Sequence, residues 1–393
     1  MFDQLFAKTQ EFTKLAQALG TPGACALFGI PGAGRAMVYA ALARHTGAPL
    51  CIVTPGEAEA TRFAGDLNVL GIPAAVFPAR DYLLRPIEGT GREYEYRRLS
   101  VLGDLVGGRL RAVCVPQEAL TQYTTPRADF CANTRTLHAG DTLPREELTA
   151  LLYGAGYTRR AQVDGPGQFS VRGDIVDIYA PDMKQPVRME FWGDEIDTLH
   201  TFDLATQRRD ESISKIYVSP AREVLLGAPP AAAELLRAFL KKQRGKKRTA
   251  LESCLAPELS QLDAGVMPVN MDKYLAVRYP EPATVLDYLD EPLLIFEEPA
   301  SVKEAQRAAD FRRGEELAAL LQDGVLAAGL GDLYANAAWL WAQTGRYPTI
   351  CAENFVRSMP DIPLKIVVNA PAHTLPAWSG EVAALLEDVN PLC

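Results

Sequence analysis

The chain has 393 residues, 48% of them apolar and 23% charged, with a formal net charge of −9. That is room for two or three domains with cores of their own, and the charge disfavours a phosphate backbone, so any nucleic-acid contact must be local. Seven scattered cysteines without a C-x-x-C pair and four histidines far apart argue against a metal or redox site and for a reducing cytoplasm, and no apolar run approaches a membrane span.

The N-terminal stretch MFDQLFAKTQEFTKLAQ mixes charge through its apolar pattern, which predicts an amphipathic helix and not a signal peptide. A buried strand over 24–28 (ACALF) then runs through GIPGAGRA into a helical pattern stopped by Gly47. Strand, glycine loop, helix is the context of a phosphate-binding loop. Gly29 and Gly34 keep the Walker A spacing, but Arg35 stands where a Lys should reach the phosphates and Ala36 where a hydroxyl should hold Mg²⁺. Arg keeps the charge as a wide planar fork, and Ala offers a metal nothing. Both substitutions fall on chemistry, which favours a fold-determining turn over a working site.

Strands over 49–54, 74–79 and 111–116 alternate with helices over 57–70 and 94–105, the pattern of a parallel sheet with helices on both sides. The rhythm then changes. A helix opens at Pro144 with Leu148, Leu151 and Leu152 on one face, and from 157 to 218 short alternating strands are separated by Gly and Asp turns. The expected architecture is α/β: a degenerate P-loop-like parallel-sheet domain in two halves, 1–125 and 223–370, split by an inserted α+β domain over 126–222. Residues 371–393 are expected to be a linker and the start of a truncated following domain, with Val382, Leu385, Leu386 and Val389 on one stripe of a last helix.

Inside the insert, VRMEFW sends Val187, Met189 and Phe191 to one face and Arg188, Glu190 and Trp192 to the other. One strand earlier, Phe169 and Val171 point inward and Arg172 shares the outer row. Arg and Trp are the residue types that dominate binding energy at interfaces. A Trp lying over its own sheet edge with Arg188 stacked on it for packing is the other reading, and alternation alone does not choose.

Beyond the insert, a helix over 230–242 runs into KKQRGKKR at 241–248, six basic residues in eight. A solvated, mobile connector is the favoured reading over a nucleic-acid contact, because isolated charge runs usually are solvated. The apolar strand LLIF ends at Glu297 and Glu298, the edge where open α/β sheets bind ligands. With no partner Lys or hydroxyl in the loop, capping and solvation are the expected roles of these carboxylates. Helices over 303–321 and 334–344 and a strand over 364–369 complete the tail.

The segments PGAGRA, FPARDYLLRPIEGTGREYEYRRLSVL, GAGYTRRAQVDGPGQFSVRGDIVDIY, VRMEFWGDEIDTLHTFDLATQR and DKYLAVRYPEPATVLDYLDEPLLIFEEP together resemble the N-terminal part of the bacterial transcription-repair coupling factor family (Mfd). That part is itself similar to the excision-repair protein UvrB. An ATP-dependent, damage-handling UvrB-like enzyme is the alternative, but such a protein would carry the Walker Lys and a long aromatic hairpin, and only 81–92 separates the relevant strand from the next helix. The resemblance implies a non-catalytic adaptor with no cofactor of its own, whose inserted domain recruits UvrA. It places the contacts on Arg172, Arg188 and Trp192, with Glu190 in the same row, and Arg188 is expected to face solvent. It also implies that RNA polymerase, double-stranded DNA, ATP and Mg²⁺ are handled by parts of a longer protein, and that no membrane is involved.

Overall fold

The computed structural model describes residues 7–86 and 91–370; the linker and helix expected over 371–393 lie outside them. Four apolar runs in the first third of the chain form β1 (Gly23–Phe28), β2 (Leu50–Thr54), β3 (Ala74–Val76) and β4 (Ala112–Pro116). β2 and β4 are buried along their whole length and β1 nearly so. Strands covered on both faces need no polar alternation, and every pairing they make is parallel.

The chain then leaves this sheet to build β5 (Arg135–His138), β6 (Thr158–Arg159), β7 (Gln168–Arg172), β8 (Ile175–Tyr179), β9 (Val187–Trp192), β10 (Glu195–Phe202), β11 (Arg209–Ile213) and β12 (Lys215–Val218). Six of these form a second sheet in the order β11-β10-β9-β8-β7-β6, antiparallel except for β6 with β7. β5 and β12 pair separately. One face of the second sheet packs Phe169, Val176, Val187, Met189 and Phe191 against Leu148 and Leu152 of the helix Arg145–Gly154.

On return the chain adds β13 (Leu293–Glu297), β14 (Pro348–Glu353) and β15 (Leu364–Asn369) to the first sheet, giving the order β15-β1-β14-β13-β2-β4-β3. The architecture is therefore a parallel α/β sheet interrupted by an antiparallel insert. Phe12, Tyr39 and Phe63 fill one side of the large sheet, and Phe77, Leu99, Phe130 and Leu340 the other. A helical lobe with its own core, including Leu236, Leu251, Leu255 and Tyr274, precedes β13.

Two expectations need correction. β14 was not foreseen, although it lies at the centre of the sheet between β1 and β13; its apolar run is short and begins at a proline, and periodicity cannot tell such a run from the end of a buried helix. The basic stretch is not a loose connector. The helices Pro229–Lys241 and Gly245–Asp263 pack together and are joined only by residues 242–244, with Gly245 at φ 61° reversing the chain.

Where the insert hands the chain back, a buried charge network joins the parts. Arg98 is fully buried and grips Glu223 through Nε at 2.6 Å and Nη2 at 3.1 Å, with its guanidinium over Phe77. Arg80 reaches both Asp272 of the helical lobe (2.8 Å) and Glu223 (3.2 Å). Glu95 accepts the Glu223 backbone N–H at 3.0 Å. Charges this deep persist only when paired, so Glu223 is fixed by Arg80, Arg98 and Glu95 of the first half, and Arg80 ties the helical lobe to the same network through Asp272.

Candidate functional site

The loop after β1 runs from a parallel strand into the helix Gly32–Thr46, and its residues are engaged within the chain. Gly29 takes φ 87°, and a Cβ there would stand 3.0 Å from the Ala370 carbonyl oxygen. A Cβ on Gly34 would meet the Ile30 side chain at 2.8 Å, and the Arg62 guanidinium lies against Gly32. These glycines are needed for close approach within the chain.

Arg35, in the first turn of the helix Gly32–Thr46, is buried and turned towards the ends of β13 and β14. Its Nη1 lies 2.7 Å from Glu297, and its Nη2 lies 2.9 Å from Glu298 and donates to Asn354 Oδ1 at 3.2 Å. Nη1 also donates to the Ala352 carbonyl at 3.3 Å. The Tyr39 hydroxyl, one turn along the helix, donates to Glu297. Ala36 is buried and supplies no polar atom.

Against the expectation of capping and solvation, neither carboxylate caps a helix and Glu297 is closed off from solvent, while Glu298 keeps a third of its side chain exposed. Glu297 is buried, and Glu298 precedes the helix Pro299–Gln322 at φ 50° without a side-chain capping bond. Both are partners of Arg35. Burial pushes the Glu297 carboxyl up to about 7 despite the opposing pull of Arg35 and the Tyr39 hydroxyl, and Glu298 adds to the rise.

The insert's polar face carries the second set of candidate residues. Pairing runs Ser170–Asp177–Arg188–His200 in one row and Arg172–Ile175–Glu190–Thr198 in the next, so all of these side chains share that face. β7 and β9 are not neighbours: β8 separates them and supplies Asp177, a fully buried carboxylate. Arg188 holds it in a fork through Nε (2.7 Å) and Nη2 (2.9 Å), and Arg172 adds a bond at 2.6 Å.

Arg188 does not face open solvent. Its side chain is 11% exposed, stacked over Phe202 with the guanidinium 4.7 Å from the ring centroid, and donates to the Gln207 carbonyl at 3.3 Å. Hydrogen bonding to Asp177 holds its basicity above the usual range. Glu190 is half-buried and paired with Arg209. Trp192 is the opposite case, 82% exposed at the end of β9 beside the Gly193 turn, and Arg172 remains exposed beyond its bond to Asp177.

The structure therefore brings Arg172 and Arg188 together through a residue that was not singled out. Asp177 lies between Val176 and Ile178 in IVDIY, and strand alternation sets it on the face opposite those two; only the register of β8 with β9 puts it in the row of Arg188. Phe202 and Gln207 carried no such signal, because a later strand end and turn bring them over the face.

Among the described residues no group of His, Cys, Asp and Glu is placed to hold a metal ion, and no helix is long and apolar enough to cross a membrane. Five cysteines are buried as expected of core residues, but Cys131 is exposed.

Comparison with known proteins bears on both regions. Residues 136–224 match the model of the UvrB interaction domain. The transcription-repair-coupling factor of Bacillus subtilis (strain 168) is 26% identical over 376 residues, covering 93% of this chain and 32% of that protein. The factor of the same name from Mycobacterium bovis is 32% identical over 328 residues, 80% of this chain and 26% of that protein. The UvrABC system protein B of Chlorobium limicola is 26% identical over 300 residues, 68% of this chain and 44% of its own length. The chain spans about a third or less of the length of the coupling factors it matches.

Proposed function

We propose that this chain acts as a UvrB-like N-terminal module of the transcription-repair-coupling-factor kind and that its insert is the docking surface for UvrA. In this reading the module recruits excision repair to RNA polymerase stalled at a lesion in the cytoplasm. The polymerase contact, ATP-driven movement on double-stranded DNA, and the use of ATP and Mg²⁺ belong to other parts of a longer protein. The split α/β body carries the insert and turns over no nucleotide.

One observation carries the proposal: within the stretch that matches the UvrB interaction domain, Trp192 projects 82% exposed beside a face whose arginines are already aligned by Asp177. A rigid aromatic adds apolar contact at low entropic cost, and the Arg172 guanidinium, steadied by Asp177 yet 44% exposed, can donate to a partner's carboxylate. Support for the inert body comes from Arg35, whose charge is taken up by Glu297 and Glu298.

Capture of purified UvrA on the immobilised chain tests the reading. Trp192→Ala and Arg172→Ala should each weaken capture by at least about 2 kcal/mol, roughly thirtyfold, as truncated hot-spot residues do. Both variants capturing UvrA as well as the parent would place the interface elsewhere.

A further inference from the structure

The tip of the helical hairpin formed by Pro229–Lys241 and Gly245–Asp263 gathers Lys241, Lys242, Arg244, Lys246, Lys247 and Arg248, all exposed, on a chain of net charge −9. Only Arg248 has a carboxylate partner, Glu252 at 2.7 Å on the next turn of the same helix; the other five have none among the described residues. No acidic side chain stands in the first turn of Gly245–Asp263 to offset them. Exposed like charges held this close repel one another, and here the fold gathers them at a turn instead of spreading them.

From this we propose that the hairpin tip is a docking surface for double-stranded DNA, gripped through its phosphates and without sequence preference. The neighbourhood names the partner. No aromatic residue lies within 241–250, and Phe239 just before them is packed against the core of the helical lobe, so the tip presents neither the stacking platform that holds single strands nor the aromatic anchor that a protein interface uses. What remains is compact positive charge, and duplex DNA offers the densest complement, about one negative charge per 1.7 Å of axis. The net negative charge of the chain keeps the contact weak at physiological salt. The inference rests on charge and geometry alone and stands whether or not the insert binds UvrA.

Fluorescence anisotropy of a labelled duplex of arbitrary sequence, titrated with the full chain, gives the test. Five phosphate contacts predict a slope of about −4.5 in log affinity against log salt, a loss of roughly 10²- to 10³-fold between 50 and 200 mM. Changing Lys241, Lys242, Arg244, Lys246 and Lys247 together to Gln should abolish binding at 50 mM without lowering the melting temperature, because every one is exposed and their mutual repulsion is relieved. Changing only Lys246→Gln and Lys247→Gln should lower the slope by about 1.8. Three outcomes overturn the proposal: no duplex binding by the parent at 50 mM, an unchanged slope in the variants, or polyglutamate or single-stranded DNA binding as tightly as the duplex.

Discussion

Asp177 decides what a substitution at Arg188 measures. The carboxylate is fully buried and is held by a guanidinium that is itself 11% exposed and by another, Arg172, that is 44% exposed. Removing Arg188 leaves the buried charge with its weaker, wetter partner, and breaking a buried pair costs about 3–5 kcal/mol. Arg188→Ala should therefore lower the melting temperature clearly, towards the small end of that range because Arg172 stays. Trp192→Ala, by contrast, should stay within about 0.5 kcal/mol of the parent, since the ring touches little. Thermal unfolding of the two variants separates the cases, and an Arg188→Ala protein that melts with the parent would contradict the load assigned to the Asp177 pair. Strand alternation put Arg188 on the correct face. It could not show that Phe202 and Gln207, brought over by chain folding, roof that face, and so the expected solvent-facing Arg was a half-correct inference.

At the scale of elements, β9 and the helix Glu93–Val106 make separate predictions. Met189 is fully buried against Val176 and Leu199, so Met189→Ala should cost about 2–5 kcal/mol in a denaturant titration, and a loss below about 1 kcal/mol would mean the insert's core lies elsewhere. Glu95, on that helix, is pH-sensitive. Burial alone would raise its carboxyl, but Arg80, Arg222 and Arg92 and the Glu223 backbone N–H bring it down to about 2 from an ordinary 4.5. A carboxyl depressed in the folded state binds its proton more readily when unfolded. Its contribution is thus complete above about pH 4.5 and fades as pH falls towards 2. Glu95→Gln should flatten the stability profile in that window, as followed by urea unfolding at stepped pH, and a profile parallel to the parent's would exclude Glu95 as a source of the slope. Elements whose period is strong, such as β9 or the helix Glu57–Val69, were legible in the residues. β14 and the salt-bridged junction were not, because one is a short continuous apolar run and the other joins Arg80, Arg98, Glu223 and Asp272 across nearly two hundred residues of chain.

For the whole molecule the loop after β1 matters as a joint. The chain leaves the large sheet after β4 and returns at β13, so the two halves of one sheet must be held across an inserted domain. Arg35 comes from the first half, and Glu297, Glu298, Ala352 and Asn354 from the second. The charge at the position where a P-loop Lys would reach phosphate is spent on closing this seam, with Tyr39 bonded to the same carboxylate. A nucleotide would have to displace Arg35 from two carboxylates and bring its own negative phosphates towards Glu297 and Glu298, with Ala36 offering no hydroxyl to its metal. Arg35→Ala should cost about 3–5 kcal/mol of stability by leaving Glu297 buried without its cation, less whatever the carboxyl regains by taking up a proton. Isothermal titration of the parent with Mg-ATP should show no micromolar binding, and Arg35→Ala should not gain it, because removing the plug restores neither the compact Lys nor the metal ligand. Micromolar binding by the parent would mean that Arg35 leaves the carboxylates for phosphate, and the joint would then be a switch.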